Sequence, residues 1–142
     1  MGKHRILVPV DGSETCNRAV NHVISLCRKL GPADIHLINV EPAPVGWQTH
    51  AMVQETIEAR LKEQGFAATA GARALLDEAG LKYQVHTETG PVGEIIARTA
   101  KELACDSIVM GTHGRSVVGK LVLGSVAAEV LHLVDIPLTL VK

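Results

Sequence analysis

The stretch SIVMGTHGRSVVGKLVLGSVAAEVLHLV, residues 107–134, joins three patterns that together decide the fold. It begins with a short apolar run typical of a buried strand. Four glycines follow within residues 111–125, more than an ordinary turn requires. After the glycines, apolar residues recur at helical spacing, at Ala127, Val130, Leu131 and Val134. A strand that leads through a glycine-rich loop into an amphipathic helix is a building unit of α/β folds with parallel sheets.

Four other segments have the composition or the alternation of strands. Three are short runs rich in Ile, Val and Leu, and one alternates apolar and polar residues as an edge strand does. Together with SIVMG at 107–111, the predicted strands are RILVPV at 5–10, DIHLINV at 34–40, the alternating KYQVHTE at 82–88, and PLTLV at 137–141.

The segments between these strands carry helical periodicity. The first helix is predicted to begin after Ser13, a capping residue, and to stop at Gly31-Pro32. Residues 50–79 carry an apolar stripe, and we expect a bend or break near Gly65 because glycine weakens a helix by about 1 kcal/mol relative to alanine. Another helix is predicted after Pro91, a residue suited to a first helical turn.

The alternation of strands and helices predicts an α/β fold, with an open five-stranded parallel sheet covered by helices on both faces. The chain of 142 residues is close to the commonest size of one domain, and it contains no repeat or linker. We therefore expect residues 1–142 to form a single domain.

Composition excludes several classes of partner. The 14 basic and 15 acidic residues leave a net charge of −1 without a run of like charges, so neither nucleic acid nor an anionic membrane is an expected partner. No apolar stretch approaches the roughly 20 residues of a membrane span, and the N-terminal run ILVPV is too short for a secretory signal. Cys16, Cys27 and Cys105 are predicted to be reduced packing residues. We expect a soluble, cytoplasmic protein.

Ligands of open parallel sheets bind beyond the carboxyl ends of the strands, where the strand order reverses. That rim would contain the ends of the first, second and fourth strands, and thus the glycine-rich loop. Glycines let the backbone approach a phosphate closely, and the helix that opens at Gly124-Ser125 has N–H groups that favour an anion. The residues alone leave two interpretations open: a phosphate cradle, or glycines that only make turns with Ser125 as a cap.

Other nucleotide and signalling motifs fit poorly. GRSVVGK at 114–120 matches the first seven positions of a P-loop, but Leu121 stands where the hydroxyl that binds Mg²⁺ is needed. The G-x-G-x-x-G fingerprint of nicotinamide cofactors is absent. A receiver domain would need an acidic pair after the first strand, where only Asp11 stands. A flavin carrier stays open, and so does a dimeric interaction module that binds no nucleotide.

Three signals in the expected order resemble one family. They are ILVPVDGSE near the start, Gly111 and Gly114 followed after nine residues by Gly124-Ser125, and IPLTLVK at the end. This pattern covers essentially the whole chain and resembles the ATP-binding branch of the universal stress proteins. The resemblance implies a Rossmann-like sheet of strand order 3-2-1-4-5 that binds ATP in the crevice and acts in the stress response.

The resemblance also implies roles for particular residues. Asp11 would hold the ribose hydroxyls or Mg²⁺, Val40 would meet adenine through its backbone, and the phosphates would lie on backbone N–H groups. The implied nucleotide-binding residues are Pro9, Val10, Asp11, Val40, Met110, Gly111, Thr112, His113, Gly114, Gly124, Ser125 and Val126.

Two further expectations concern the loop cations and the assembly. Arg115 and Lys120 either supply positive potential near the phosphates or are solvated loop charges, and the residues do not decide between these. The resemblance implies a homodimer, which we expect through the edge strand 136–141; the alternative is that Lys142 and fraying of the chain end blunt that edge. No residue occupies a place that demands a catalytic role, so we expect a nucleotide-dependent binding or signalling module rather than an enzyme, while slow ATP hydrolysis stays open.

Overall fold

The computed structural model describes residues 2–44, 51–113 and 123–142, and only the backbone of residues 51–54. Strands and helices alternate along the chain. They are β1 Arg5–Pro9, α1 Glu14–Leu30, β2 Asp34–Glu41, α2 Ala51–Ala68, α3 Ala70–Glu78, β3 Tyr83–Thr89, α4 Val92–Glu102, β4 Ser107–Gly111, α5 Ser125–Leu133 and β5 Leu138–Val141. All five predicted strands are present within a residue or two of their predicted bounds.

The strands form one parallel sheet of order β3-β2-β1-β4-β5, which confirms the predicted fold class and strand order. The alternating strand β3 lies at one edge, as its sequence predicted. Each face of the sheet carries its own apolar core, one with α1 and α3 and the other with α4 and α5. Within the described ranges, no helix has the length and apolar character that crossing a membrane requires.

Helix α1 begins and ends where its sequence predicted. Ser13 is the N-cap, and its hydroxyl accepts a hydrogen bond from the Cys16 N–H at 3.4 Å. Gly31 closes the other end, where its N–H donates to the Cys27 carbonyl at 3.0 Å. The cap fixes the start of α1 directly after β1, and so holds the intervening loop at the sheet's carboxyl edge.

The prediction of a helix break near Gly65 was wrong, because the break lies at Thr69, between α2 and α3. The Thr69 N–H and hydroxyl both donate to the Phe66 carbonyl, at 3.0 and 2.6 Å. This tight turn replaces the helical bonding pattern and is stabilised by Arg73, whose Nε donates to the Thr69 hydroxyl at 2.8 Å. A hydroxyl that competes for a backbone carbonyl ends the helix, whereas Gly65 stays within it.

Candidate functional site

A cleft of about 230 Å³ lies at the carboxyl ends of β1, β2 and β4, where the strand order reverses around β1. It collects all the predicted binding residues that the structure describes, namely Pro9, Val10, Asp11, Val40, Met110, Gly111, Thr112, His113, Gly124, Ser125 and Val126. Gly114, Arg115 and Lys120 lie outside the described residues. Residues far apart in sequence thus share one concave surface.

Sequence reasoning missed an apolar wall of this cleft. The additional lining residues are Cys16, Ile38, Pro42, Val92, Ile96 and Ala127. A signal for part of the wall exists in the sequence, since Ile38 lies two residues before Val40 and therefore on the same face of β2. Val92 and Ile96 are one helical turn apart on α4, and their shared face points into the cleft.

The cleft exists because backbone pairing stops on both sides of β1. Toward β4, register pairs end at Leu7 opposite Ile108, and the next β1 residue that faces β4 is Pro9, which has no N–H to donate. Toward β2, the last bond runs from the Val10 N–H to the Ile38 carbonyl at 2.9 Å. A proline is thus accommodated in this central strand because it lies where the ladder to β4 has ended.

The peptide groups of Val40 face the cleft. In a parallel strand, alternate residues direct both N–H and C=O to the same neighbour, and Ile38 directs its groups to β1. Val40 therefore faces β1 too, whereas the carbonyl of Glu41 faces β3 and accepts from the Gly90 N–H at 2.9 Å. Among the described residues, none pairs with the Val40 backbone on the β1 side.

Asp11 follows β1 and turns its carboxylate toward the start of α1. Its Oδ1 accepts from the Ser13 N–H at 2.9 Å and from the Cys16 thiol at 3.1 Å. Burial is the main reason that the pKa of Cys16 is raised to about 11, so the thiol stays protonated and acts as a donor. The two bonds hold the carboxylate in one orientation at the rim of the cleft.

Gly111 and Gly124 are needed for close packing. A Cβ at Gly111 would lie 2.5 Å from Thr15 Cγ2, and one at Gly124 would lie 2.7 Å from the Thr112 carbonyl oxygen. The Gly124 N–H donates to that same oxygen at 2.7 Å. Neither glycine has a positive φ, so it is the space they leave, rather than backbone freedom, that brings α1 and α5 against the end of β4.

Helix α5 presents its amino end to the cleft. Gly124 is its N-cap, and its carbonyl accepts from the Ala128 N–H at 2.9 Å. No side chain of the described residues caps this helix, so its first N–H groups and the exposed Ser125 hydroxyl are directed to the cleft rim. Bare N–H groups and the positive end of a helix dipole favour an anion.

His113 also lies on the rim of the cleft. The Thr112 hydroxyl and His113 Nδ1 lie 3.1 Å apart, so the imidazole is held by its neighbour at the loop's beginning. The described part of the chain contains no group of three side chains arranged to hold a metal ion by themselves.

Comparisons with known proteins identify relatives that match over the whole chain. The family model for the universal stress protein family matches residues 3–142. Universal stress protein MJ0531 from Methanocaldococcus jannaschii is 32% identical over 149 residues, which cover 97% of this chain and 81% of that protein. The predicted resemblance is thereby confirmed at the level of the universal stress protein family.

Solved structures of other proteins share the fold of this chain. The structure of hypothetical protein MJ0577 superposes with a TM-score of 0.86 at 25% identity, over 100% of this chain and 97% of that one. The universal stress protein from Archaeoglobus fulgidus in complex with dAMP shares the fold, with a TM-score of 0.68 at 22% identity over 100% of both chains. The sheet, the connections and the sequence relationship lead to one assignment: this chain belongs to the universal stress protein family.

Proposed function

We propose that this protein binds ATP with Mg²⁺ in the cleft and acts as a nucleotide-dependent module of the stress response. The observation that carries the proposal is the Val40 peptide, which pairs with none of the described residues on the β1 side, beside an apolar wall and the amino end of α5, which no described side chain caps. These are the two surfaces that a nucleotide needs, one for a flat base and one for phosphates. The relative in complex with dAMP supports the same ligand class.

Adenine suits the Val40 peptide. Its N1 accepts and its N6 amino group donates, which complements the N–H and C=O that Val40 directs to the cleft. Guanine carries a donor at N1 and an acceptor at O6, so in the orientation that suits adenine it would place donor against donor and acceptor against acceptor, and it would have to shift in the cleft to bond the Val40 peptide. The apolar side chains of Ile38, Val92 and Ile96 supply a surface for the face of the base. We expect ATP to bind at least about 10-fold more tightly than GTP.

The phosphates suit the amino end of α5. The N–H groups of Ser125 and Val126, the hydroxyl of Ser125 and the helix dipole all favour negative charge. In the proposal, Gly114 and His113 contribute donors from the loop that follows β4. Met110, Gly111 and Thr112 would line the sugar between base and phosphates.

Asp11 fits either of its proposed roles. A carboxylate held by two donors at the rim is oriented to accept from ribose hydroxyls. Mg²⁺ is usually held by one or two carboxylates together with substrate phosphates and several waters, so in the proposal Asp11, the triphosphate and water would supply its ligands.

The test begins with the purified protein. Denaturation followed by chromatography with mass detection should release ATP or ADP near one per chain. Calorimetric titration of the emptied protein should then show saturable ATP binding with Mg²⁺ and weaker GTP binding. A folded protein that carries no nucleotide and takes up none would overturn the proposal and favour the dimeric interaction module. Phosphate release is measured separately, to test for slow hydrolysis.

Variants of Gly124 separate the phosphate contact from simple packing. Gly124→Asp adds a side chain and a negative charge beside the proposed phosphates, whereas Gly124→Ala adds only the side chain. We expect Gly124→Asp to abolish ATP binding and Gly124→Ala to retain part of it. Gly2→Asp makes the same change where no atom of the described residues lies within 4 Å, and should bind ATP normally.

We further propose a homodimer through the edge strand, residues 136–141. The carbonyls of Pro137 and Val141 accept from the N–H groups of Ile108 and Thr112, on and just after β4. Leu138 and Leu140 therefore direct their N–H groups outward. A second copy can pair with this edge. Leu140→Pro removes one outward N–H without touching the β4 ladder, and should yield monomers in sedimentation analysis. Leu140→Ala, which keeps the N–H, is the matched control and should stay dimeric.

A further inference from the structure

Asn39 lies on β2 between Ile38, whose carbonyl accepts the last hydrogen bond from the end of β1, and Val40, whose peptide pairs with none of the described residues on that side. Its side chain is buried, 1% exposed, on the sheet face opposite to the cleft wall that Ile38 and Val40 form. Its Nδ2 donates to the carbonyl of Val10 at 2.9 Å. A side-chain amide thus occupies a backbone acceptor of the loop that leaves β1.

That acceptor is the one that the next rung of the sheet would use. The Val10 N–H already bonds the Ile38 carbonyl, so continued pairing would bring the Val40 N–H to the Val10 carbonyl. Asn39 donates there instead. We propose that Asn39 is a positioning residue that holds the β1–β2 ladder open by one rung and so leaves the Val40 peptide available to a base. The inference rests on the proposed function for its consequence, but its geometry is independent of any ligand.

The surroundings of Asn39 keep its amide in this orientation. Reversing the amide would place Oδ1 against the Val10 carbonyl oxygen, two acceptors in contact. In the observed orientation Oδ1 is buried without a hydrogen-bond partner among the described residues. Burying an acceptor without a hydrogen-bond partner is unfavourable. The orientation of the Asn39 amide is therefore set by the hydrogen bond that its Nδ2 donates to Val10.

Gly65 supplies the space that this arrangement needs. A Cβ on Gly65 would lie 2.8 Å from Asn39 Oδ1 and 3.6 Å from Thr87 Cγ2. Helix α2 therefore passes over the amide with a glycine at the point of contact. This explains why a glycine interrupts the apolar stripe of α2 without breaking the helix.

The first test measures hydrogen exchange of the Val40 N–H by NMR in the nucleotide-free protein. We expect this amide to exchange at least about 100-fold faster than that of Ile38, and to become protected in Asn39→Ala as the vacated rung closes. A Val40 N–H that is already protected, or that is unchanged in the variant, would overturn the inference. This result does not depend on whether ATP binds.

The second test measures binding. In Asn39→Ala we expect ATP affinity to fall about 10-fold while GTP affinity, which gains nothing from the Val40 peptide, stays within about twofold. A purely structural loss would weaken both nucleotides equally and would overturn the positioning role. Gly65→Ala, which displaces the amide without removing it, should shift the ATP-to-GTP ratio in the same direction and replaces Asn39→Ala should that variant fail to fold. If the wild-type protein binds neither nucleotide, the proposed function fails, while the exchange result still decides the role of Asn39.

Discussion

Replacing Ser125 by aspartate should stabilise the free protein and weaken its binding of ATP. Ser125 is the first residue of α5, its side chain is exposed, and no described side chain caps that helix. An aspartate in the first turn interacts favourably with the positive end of the helix dipole, which contributes about 0.3–1 kcal/mol to the free energy of unfolding. We therefore expect a small rise in the urea midpoint of the nucleotide-free variant.

The same charge repels the phosphates. A carboxylate about 5 Å from a phosphate charge costs about 0.8 kcal/mol at the dielectric constant of water, and two such charges double this. Loss of the serine hydroxyl adds about 1 kcal/mol. The sum, about 2 to 3 kcal/mol, corresponds to a rise in the Kd for ATP of roughly 30- to 150-fold.

The assay is calorimetric titration with ATP and Mg²⁺, alongside urea unfolding of each emptied variant. Ser125→Ala removes only the hydroxyl and should lose about fivefold in affinity. Asn21→Asp adds the same charge at an exposed position of α1 and should bind ATP as the wild type does. A folded Ser125→Asp protein with unchanged ATP affinity would exclude the amino end of α5 from the site. A urea midpoint of nucleotide-free Ser125→Asp below that of the wild type would contradict the conclusion that the amino end of α5 is uncapped.

Three further predictions concern the fold. His36 Nδ1 and His86 Nε2 lie 2.9 Å apart, and burial, followed by the neighbouring His36, lowers the pKa of His86. As the pH falls, the unfolded chain is therefore protonated at this histidine before the folded protein is. The free energy of unfolding should be at its full value above about pH 6.5 and should decrease below it. In urea melts, His86→Gln should make the free energy of unfolding depend less on pH. The raised pKa of Cys16, about 11, predicts that a disulfide reagent labels its thiol only after unfolding. Gly111→Ala should lower the free energy of unfolding by about 1–3 kcal/mol, because the methyl would meet Thr15; an unchanged urea midpoint would contradict that contact.

The architecture was predictable because its signals are local. Short apolar runs, the Ser13 cap and helical spacing each depend on residues close in sequence, and all were found where predicted. The break at Thr69 was not predictable from propensity, since it results from a hydroxyl that bonds the Phe66 carbonyl. Gly65 was misinterpreted for a related reason: its partner is Asn39, on a strand that precedes it by more than twenty residues.

The candidate site was predictable in its rim and less so in its interior. Residues that end strands could be named from the strand pattern, and the structure brings those it describes into one cleft. The apolar wall from α4 escaped notice because Val92 and Ile96 have the spacing of ordinary core residues. These residues form a cleft wall because α4 packs across the end of β2. That packing is a tertiary contact, which the spacing of residues along α4 does not reveal.

The two interpretations that the glycine-rich stretch left open, packing and ligand binding, are physically compatible. Gly111 and Gly124 let α1 and α5 close against the end of β4 before any ligand arrives. Pro9 has no N–H to donate toward β4, and Asn39 donates to the Val10 carbonyl that the Val40 N–H would otherwise use. The next backbone hydrogen bonds on either side of β1 therefore do not form. Tight packing around unmade rungs yields a cleft whose polar groups are already ordered, so a ligand would bind with a smaller loss of conformational entropy. The same glycines that are necessary for the fold thereby preorganise the site.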